Sequence, residues 1–175
     1  SSDLKNISKD GTEIKDLAQF NNSVDKIIID GDGYIYVTSY NQLIKLDKDG
    51  KSIWTHGITG TIRDAYLSDD GNIYIAFPGE IRAINTAYGQ NVKNLFGSMD
   101  VEISSVATDA DYVYFCDNDN SVSKFTKNGD ILWRKTYSAR PYKIGVDERG
   151  KENEGKKQVS EMSRQGKEER EKKEK

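Results

Sequence analysis

Residues 27–39, IIIDGDGYIYVTS, set two carboxylates, Asp30 and Asp32, beside two glycines, Gly31 and Gly33. Such carboxylates can ligate calcium, such glycines can let backbone amides cradle a phosphate, and Asp-Gly can simply turn a β-hairpin. A calcium loop of the EF-hand type needs further oxygen ligands and a Glu at its twelfth position, but here Tyr-Ile-Tyr-Val follows Gly33. A phosphate loop runs from a strand into a helix with Lys and Ser/Thr next; this pattern runs into another strand. That leaves the turn, with weak calcium binding at Asp30 and Asp32 as the remainder. Other reactive residues stand alone. His56 is the single histidine and Cys116 the single cysteine, so there is no internal disulfide, no Cys-based metal cage and no zinc set. Cys116 lies in an apolar segment and reads as a small buried residue. The carboxylate pairs Asp69/Asp70 and Asp109/Asp111 occupy turns that recur along the chain, and repetition explains them better than chemistry. No catalytic residue, cofactor or metal is expected.

The recurrence keeps a fixed beat. DGDGYIYV (30–37) is echoed by SDDGNIYI (68–75), TDADYVYF (108–115) and VDERGK (146–151), and Gly33, Gly71, Asp111 and Gly150 are spaced by 38, 40 and 39. A second marker, KDGTEI, KDGKSIW, AYGQNV and KNGDILW, places Gly11, Gly50, Gly89 and Gly129 at spacings of 39, 39 and 40. Within one period, short Ile/Val/Tyr/Phe alternations bounded by Gly, Asp and Asn predict strands over 24–29, 34–39, 42–47 and 51–56. Four strands per repeat of about forty residues is the arithmetic of a β-propeller blade. The expected fold is all-β, a partial β-propeller of four-stranded antiparallel blades with a charged C-terminal tail. The Asp-Gly pairs then mark the turn from first to second strand, where a residue tolerant of positive φ is needed.

Composition agrees with one domain over 1–150 and a tail over 151–175. Of 26 Lys/Arg and 29 Asp/Glu, nine and seven lie in the tail, leaving 17 basic and 22 acidic residues in the body. A mildly acidic body without a basic stripe argues against a nucleic-acid partner. No apolar run is long enough for a membrane helix, and the N-terminus lacks the pattern of a signal peptide. Ser1 in place of Met reads as a processed or cloned boundary, and nothing here fixes the compartment. Val159 and Met162 are the only larger apolar residues of the tail, so it reads as disordered or as a solvated helix.

The segments LIKLDKDGKSIW (43–54) and VSKFTKNGDILW (122–133) resemble the repeat of PQQ-like β-propellers, the quinoprotein dehydrogenase-like family. The resemblance implies that Gly50 with Trp54, and Gly129 with Trp133, dock neighbouring blades. The third copy carries Leu95 or Phe96 near the place of Trp, and the first carries Lys15. The family's quinone is not implied, because its acidic calcium set, catalytic Asp and vicinal disulfide cannot be placed here. What carries over is the scaffold.

Counting units gives the last two strands of a blade over 3–17, three full blades to about residue 139, and one more first strand in RPYKIGVDERGK (140–151). Three and a half blades do not close a ring. The chain is therefore a fragment or truncation, ranked first, or closes as a homodimer of about seven blades. Binding is expected on the ring face built by the loops between second and third strands and between blades, where Tyr40, Arg63, Tyr137, Arg140 and Tyr142 are the candidate contacts. The leading function is a non-catalytic module for protein binding or surface presentation. The alternatives are a carbohydrate-binding or adhesion propeller of an envelope or virion, and a fragment of an enzyme whose catalytic residues lie in missing blades.

Overall fold

The computed structural model describes residues 2–146. The expected tail, 151–175, lies outside them, as does 147–151 of the expected final strand.

Among the described residues the strand segments are β1 (Ser2–Ile7), β2 (Ile14–Phe20), β3 (Val24–Ile29), β4 (Ile35–Ser39), β5 (Gln42–Leu46), β6 (Ser52–Gly57), β7 (Asp64–Leu67), β8 (Asn72–Asn85), β9 (Asn91–Thr108), β10 (Tyr112–Asp117), β11 (Ser121–Thr126) and β12 (Ile131–Thr136), each paired antiparallel to its neighbours in the sheet. β3 to β6 form one blade in sequential order. Its first turn is closed by the Gly33 N–H donating to the Asp30 carbonyl at 3.1 Å, with Gly33 at φ +85°. β1 and β2 pair with each other as a two-stranded sheet.

The 14-residue β8 is two strands. Fully extended, it would span more than 40 Å at about 3.3 Å per residue; instead the Thr86 N–H donates to the Gly71 carbonyl at 3.0 Å, so its ends lie side by side. The reversal falls at Pro78–Gly79, where Gly79 has φ +75°. β9 is likewise shared: its first part pairs with the returning half of β8, from Ile84↔Asn91 to Glu80↔Gly97, and its second part pairs with β10, from Ile103↔Asp117 to Thr108↔Val113. The six-strand sheet β7–β12 is therefore two consecutive blades joined through β9. The first-strand segment expected after residue 139 is not a strand over 140–146.

The core lies between blades. Leu4 and Phe20 pack against Val37, Ile44 and Leu46; Tyr36 and Leu43 against Ala65, Ile73, Ile75, Phe77 and Ile84; Tyr74, Ala76, Ile81 and Ala83 against Val106, Val113, Phe115 and Phe125. Strand β4 is buried at all five residues because a blade lies over each of its faces. A large apolar side chain buried this way stabilises by about 1.5–3 kcal/mol. The architecture is a partial β-propeller of four-stranded antiparallel blades. Among the described residues there is no helix, hence none long and apolar enough to cross a membrane.

Candidate functional site

The repeated aspartates are occupied by their own turns. Asp30 Oδ1 accepts from the Asp32 and Tyr34 amides at 3.0 and 2.9 Å, and its Oδ2 from the Tyr36 hydroxyl at 3.0 Å. Asp109 does the same with Asp111, Tyr112 and Tyr114. In the blade between, Asp70 takes the Asn72 amide and the Tyr74 hydroxyl. Each tyrosine stands three residues after its repeat marker, so a carboxylate and a phenol clamp the start of each second strand. Burial, reinforced by these bonds, pushes the Tyr36 and Tyr74 hydroxyls well above their ordinary range, which keeps the proton on the donor.

A different carboxylate joins the blades. Asp64 opens β7, and its side chain is 4% exposed. It receives Lys26 Nζ from β3 at 2.5 Å, Ser105 Oγ and the Val106 amide from β9 at 2.6 and 3.2 Å, and Lys143 Nζ at 3.0 and 3.1 Å. Lys26 also donates to the Ala65 carbonyl. Register explains the convergence: Lys26, Asp64 and Ser105 lie opposite Thr38, Ala76 and Cys116, the same place on three successive first strands. First strands line the centre of a propeller. Burial raises the Asp64 carboxyl, and the bonds from Lys26, Ser105 and Lys143 outweigh it, holding the group below its ordinary range. The neighbouring Cys116 is fully buried and burial pushes its thiol up, away from nucleophilic chemistry.

Sequence reasoning missed this cluster. Its trace was present: Lys26, Asp64 and Lys143 each stand seven residues before the repeat marker, polar residues where a first strand turns inward.

The ring-face residues are placed as follows. Tyr40 tips the two-residue turn between β4 and β5, with φ +52° and 65% exposure. Arg63 precedes β7 and pairs with Glu102 at 2.5 Å, joining its blade to the next. The Tyr137 N–H donates to the Asn120 carbonyl at 2.8 Å, and the Ile58 N–H donates to the Asn41 carbonyl at 2.7 Å, so outgoing crossovers are pinned to second-to-third-strand turns. The Arg140 guanidinium lies 5.4 Å from the Tyr142 ring, and Tyr142 is 71% exposed. Of the five candidates only Arg140 and Tyr142 touch, while Glu102, unanticipated, holds Arg63.

The four docking residues lie on outer strands and turns. Trp54 Nε1 donates to the Thr86 carbonyl at 3.1 Å, and a Cβ on Gly89 would fall 2.6 Å from the Trp54 ring. Gly50 faces the preceding blade, where a Cβ would meet the Leu17 carbonyl oxygen at 2.1 Å; for Gly129 the obstacle is the Leu95 carbonyl oxygen at 2.7 Å. Trp133 lies 6.5 Å from Tyr114, and Lys135 Nζ 5.2 Å from the Trp133 ring.

No protein-family model matches the chain, and no curated protein matches it. Solved structures do. The WD40 β-propeller domain of Doa1 aligns with TM-score 0.63 and 18% identity over 75% of this chain and 47% of that one. A protein of unknown function from Bacteroides caccae aligns with TM-score 0.67 and 17% identity over 85% and 59%, and the computationally designed Ika8 protein with TM-score 0.66 and 12% identity over 78% and 45%. The chain thus spans about half the length of these structures. At such identities the likeness shows the fold alone, which is the β-propeller, without singling out the PQQ-like repeat.

Proposed function

We propose that this chain is a non-catalytic β-propeller module that binds a protein partner through the loop face carrying Tyr40, Arg63, Arg140 and Tyr142. The observation that carries the reading is Tyr40. A tyrosine with φ +52° at a turn tip costs about 1–2 kcal/mol that Gly would avoid. Its ring is largely in water, so packing does not repay that cost; contact with another molecule does. Tyr142, oriented by Arg140, is a second exposed aromatic anchor on the same face, and Tyr and Arg dominate binding hot spots. The WD40 neighbour fits a protein-binding module in general.

Photo-reactive residues placed in turn at Tyr40, at Tyr142 and at Asp49, which lies on a turn at the opposite end of a blade, test the reading. Crosslinks to one protein from the first two positions and not the third are expected, with affinity for that purified protein falling at least about tenfold in Tyr40→Ala. Equal crosslinking from both ends overturns it. Glycan-array binding without a protein crosslink transfers the face to carbohydrate.

A further inference from the structure

Two faces of this molecule carry the same constellation. On the blade β3–β6, Lys45 Nζ lies 4.1 Å from the Tyr34 ring and 5.3 Å from the Tyr36 ring, and Tyr36 lies 6.2 Å from Trp54 at 53°. On the blade ending in β12, Lys124 Nζ lies 3.6 Å from the Tyr112 ring and 5.3 Å from the Tyr114 ring, and Tyr114 lies 6.5 Å from Trp133 at 57°. The first constellation holds the next blade: Lys45 Nζ and Trp54 Nε1 both donate to the Thr86 carbonyl at 3.1 Å, and the indole covers Gly89. In the second, neither Lys124 Nζ nor Trp133 Nε1 has a hydrogen-bond acceptor among the described residues, although both are strong donors.

The turns divide into two kinds in parallel. The Gly50 and Gly129 turns close over five residues, Asp47 to Lys51 and Thr126 to Asp130, and each packs on a leucine carbonyl of the preceding blade. The Gly89 turn closes over six, Asn85 to Gln90, and packs on Trp54. Among the described residues one other turn has the six-residue form: Ser8 to Glu13, with Gly11 at φ +76°. A Cβ on Gly11 would meet nothing within 4 Å, whereas one on Gly50, Gly89 or Gly129 would clash. Leucine sockets take short turns, the tryptophan socket takes a long one, and among the described residues one tryptophan socket and one long turn remain.

We propose that Lys124 and Trp133 form a second blade-docking socket and that it takes the Gly11 turn of a second copy of this chain. Docking head to tail at two equivalent junctions closes a two-fold ring, because each copy supplies one socket and one turn. The charges agree: the turn over 8–13 carries Lys9 against Asp10 and Glu13, a net charge of −1, and the socket carries Lys124, over the Tyr112 ring, and Lys135, over the Trp133 ring. The segment holding Lys143 lies beside the first strands of its own blades, so the incoming β1–β2 hairpin supplies outer strands to that position. The pairing is independent of the loop-face reading, and either can fail alone.

Light scattering of the full 175-residue chain from about 1 to 100 µM tests it. The expected mass is twice 19.7 kDa at the upper end. Trp133→Ala and Gly11→Asn should each weaken association about a hundredfold. Gly11→Asn is decisive where the tryptophan variant fails to fold, since Asn tolerates positive φ and a Cβ at this position meets nothing within 4 Å. A single-chain mass at 100 µM, or a dimer indifferent to both substitutions, overturns the proposal. So does a single-chain mass that becomes a dimer only when residues 147–175 are removed, which would make the tail the occupant of the socket.

Discussion

The junction between the blades β3–β6 and β7–β9 differs from its two neighbours in one respect. Trp54 covers Gly89 with a ring and holds the Thr86 carbonyl with its N–H, whereas Gly50 and Gly129 lie against the bare carbonyls of Leu17 and Leu95. The register shows how. Lys15 and Lys93 hold the position of Trp54 opposite the third strand, and both strands then bulge, bringing the backbone of the following leucine forward. Lys15 and Lys93 themselves reach the incoming turn, at Asp49 Oδ1 (3.8 Å) and Asn128 Oδ1 (2.9 Å). A repeated glycine turn can therefore be received by an indole or by a backbone bulge, and what stays constant is the absence of a Cβ.

The difference is broken most severely at Gly50. Gly50→Ala places a methyl 2.1 Å from backbone that cannot rotate away, at φ +85°; a loss of about 3 kcal/mol or more in urea unfolding is expected. Gly71→Ala, with φ +78° and open space, should lose only about 1 kcal/mol. Equal losses would show that φ alone matters. The two tryptophans sharpen the same contrast. Trp54→Ala should destabilise the chain by about 3 kcal/mol, and Trp133→Ala, measured below the association range, by under about 1 kcal/mol.

Asp64 ties first strands as the glycines tie outer ones. Asp64→Asn leaves two ammonium groups without a counter-charge, but both are partly hydrated, so about 2 kcal/mol is expected. The sign of its pH dependence follows from the lowered carboxyl. The stabilisation is complete above the unfolded value near 3.9 and is lost as pH falls through the lower folded one. The gap between wild type and Asp64→Asn in chemical melts should therefore be widest at neutral pH and close in acid. A gap that does not change with pH would mean the charge contributes nothing. The smallest effect has the opposite sign: Tyr40→Asn should raise stability by about 0.5–1 kcal/mol by relieving the left-handed tyrosine, and unchanged stability would remove the strain argument.

Much of this was readable from the residues, and particular elements show where reading stopped. Strands β3 to β6 fall within a residue or so of the alternation that predicts them, because apolar period two and Asp-Gly turns are local facts. The Ser8 and Asn85 turns look like their neighbours until one extra residue is seen to decide which socket each can meet. The expected final first strand does not form over 140–146; its contacts go to side chains in place of a ladder, Lys143 Nζ donating to Asp64 and the Ile144 N–H to Ser105 Oγ.

By itself the sequence determined a repeat of about forty residues, four strands in each, and hence the blade, because turn chemistry and alternation act over a few residues. Only the tertiary structure decided that Lys26, Asp64, Ser105 and Lys143 meet, that Trp54 and Leu95 receive different turns, and that Arg63 is held by Glu102. Those contacts join residues some 30 to 80 positions apart. Their geometry follows from how each blade is rotated and packed against the next, and no local pattern encodes it.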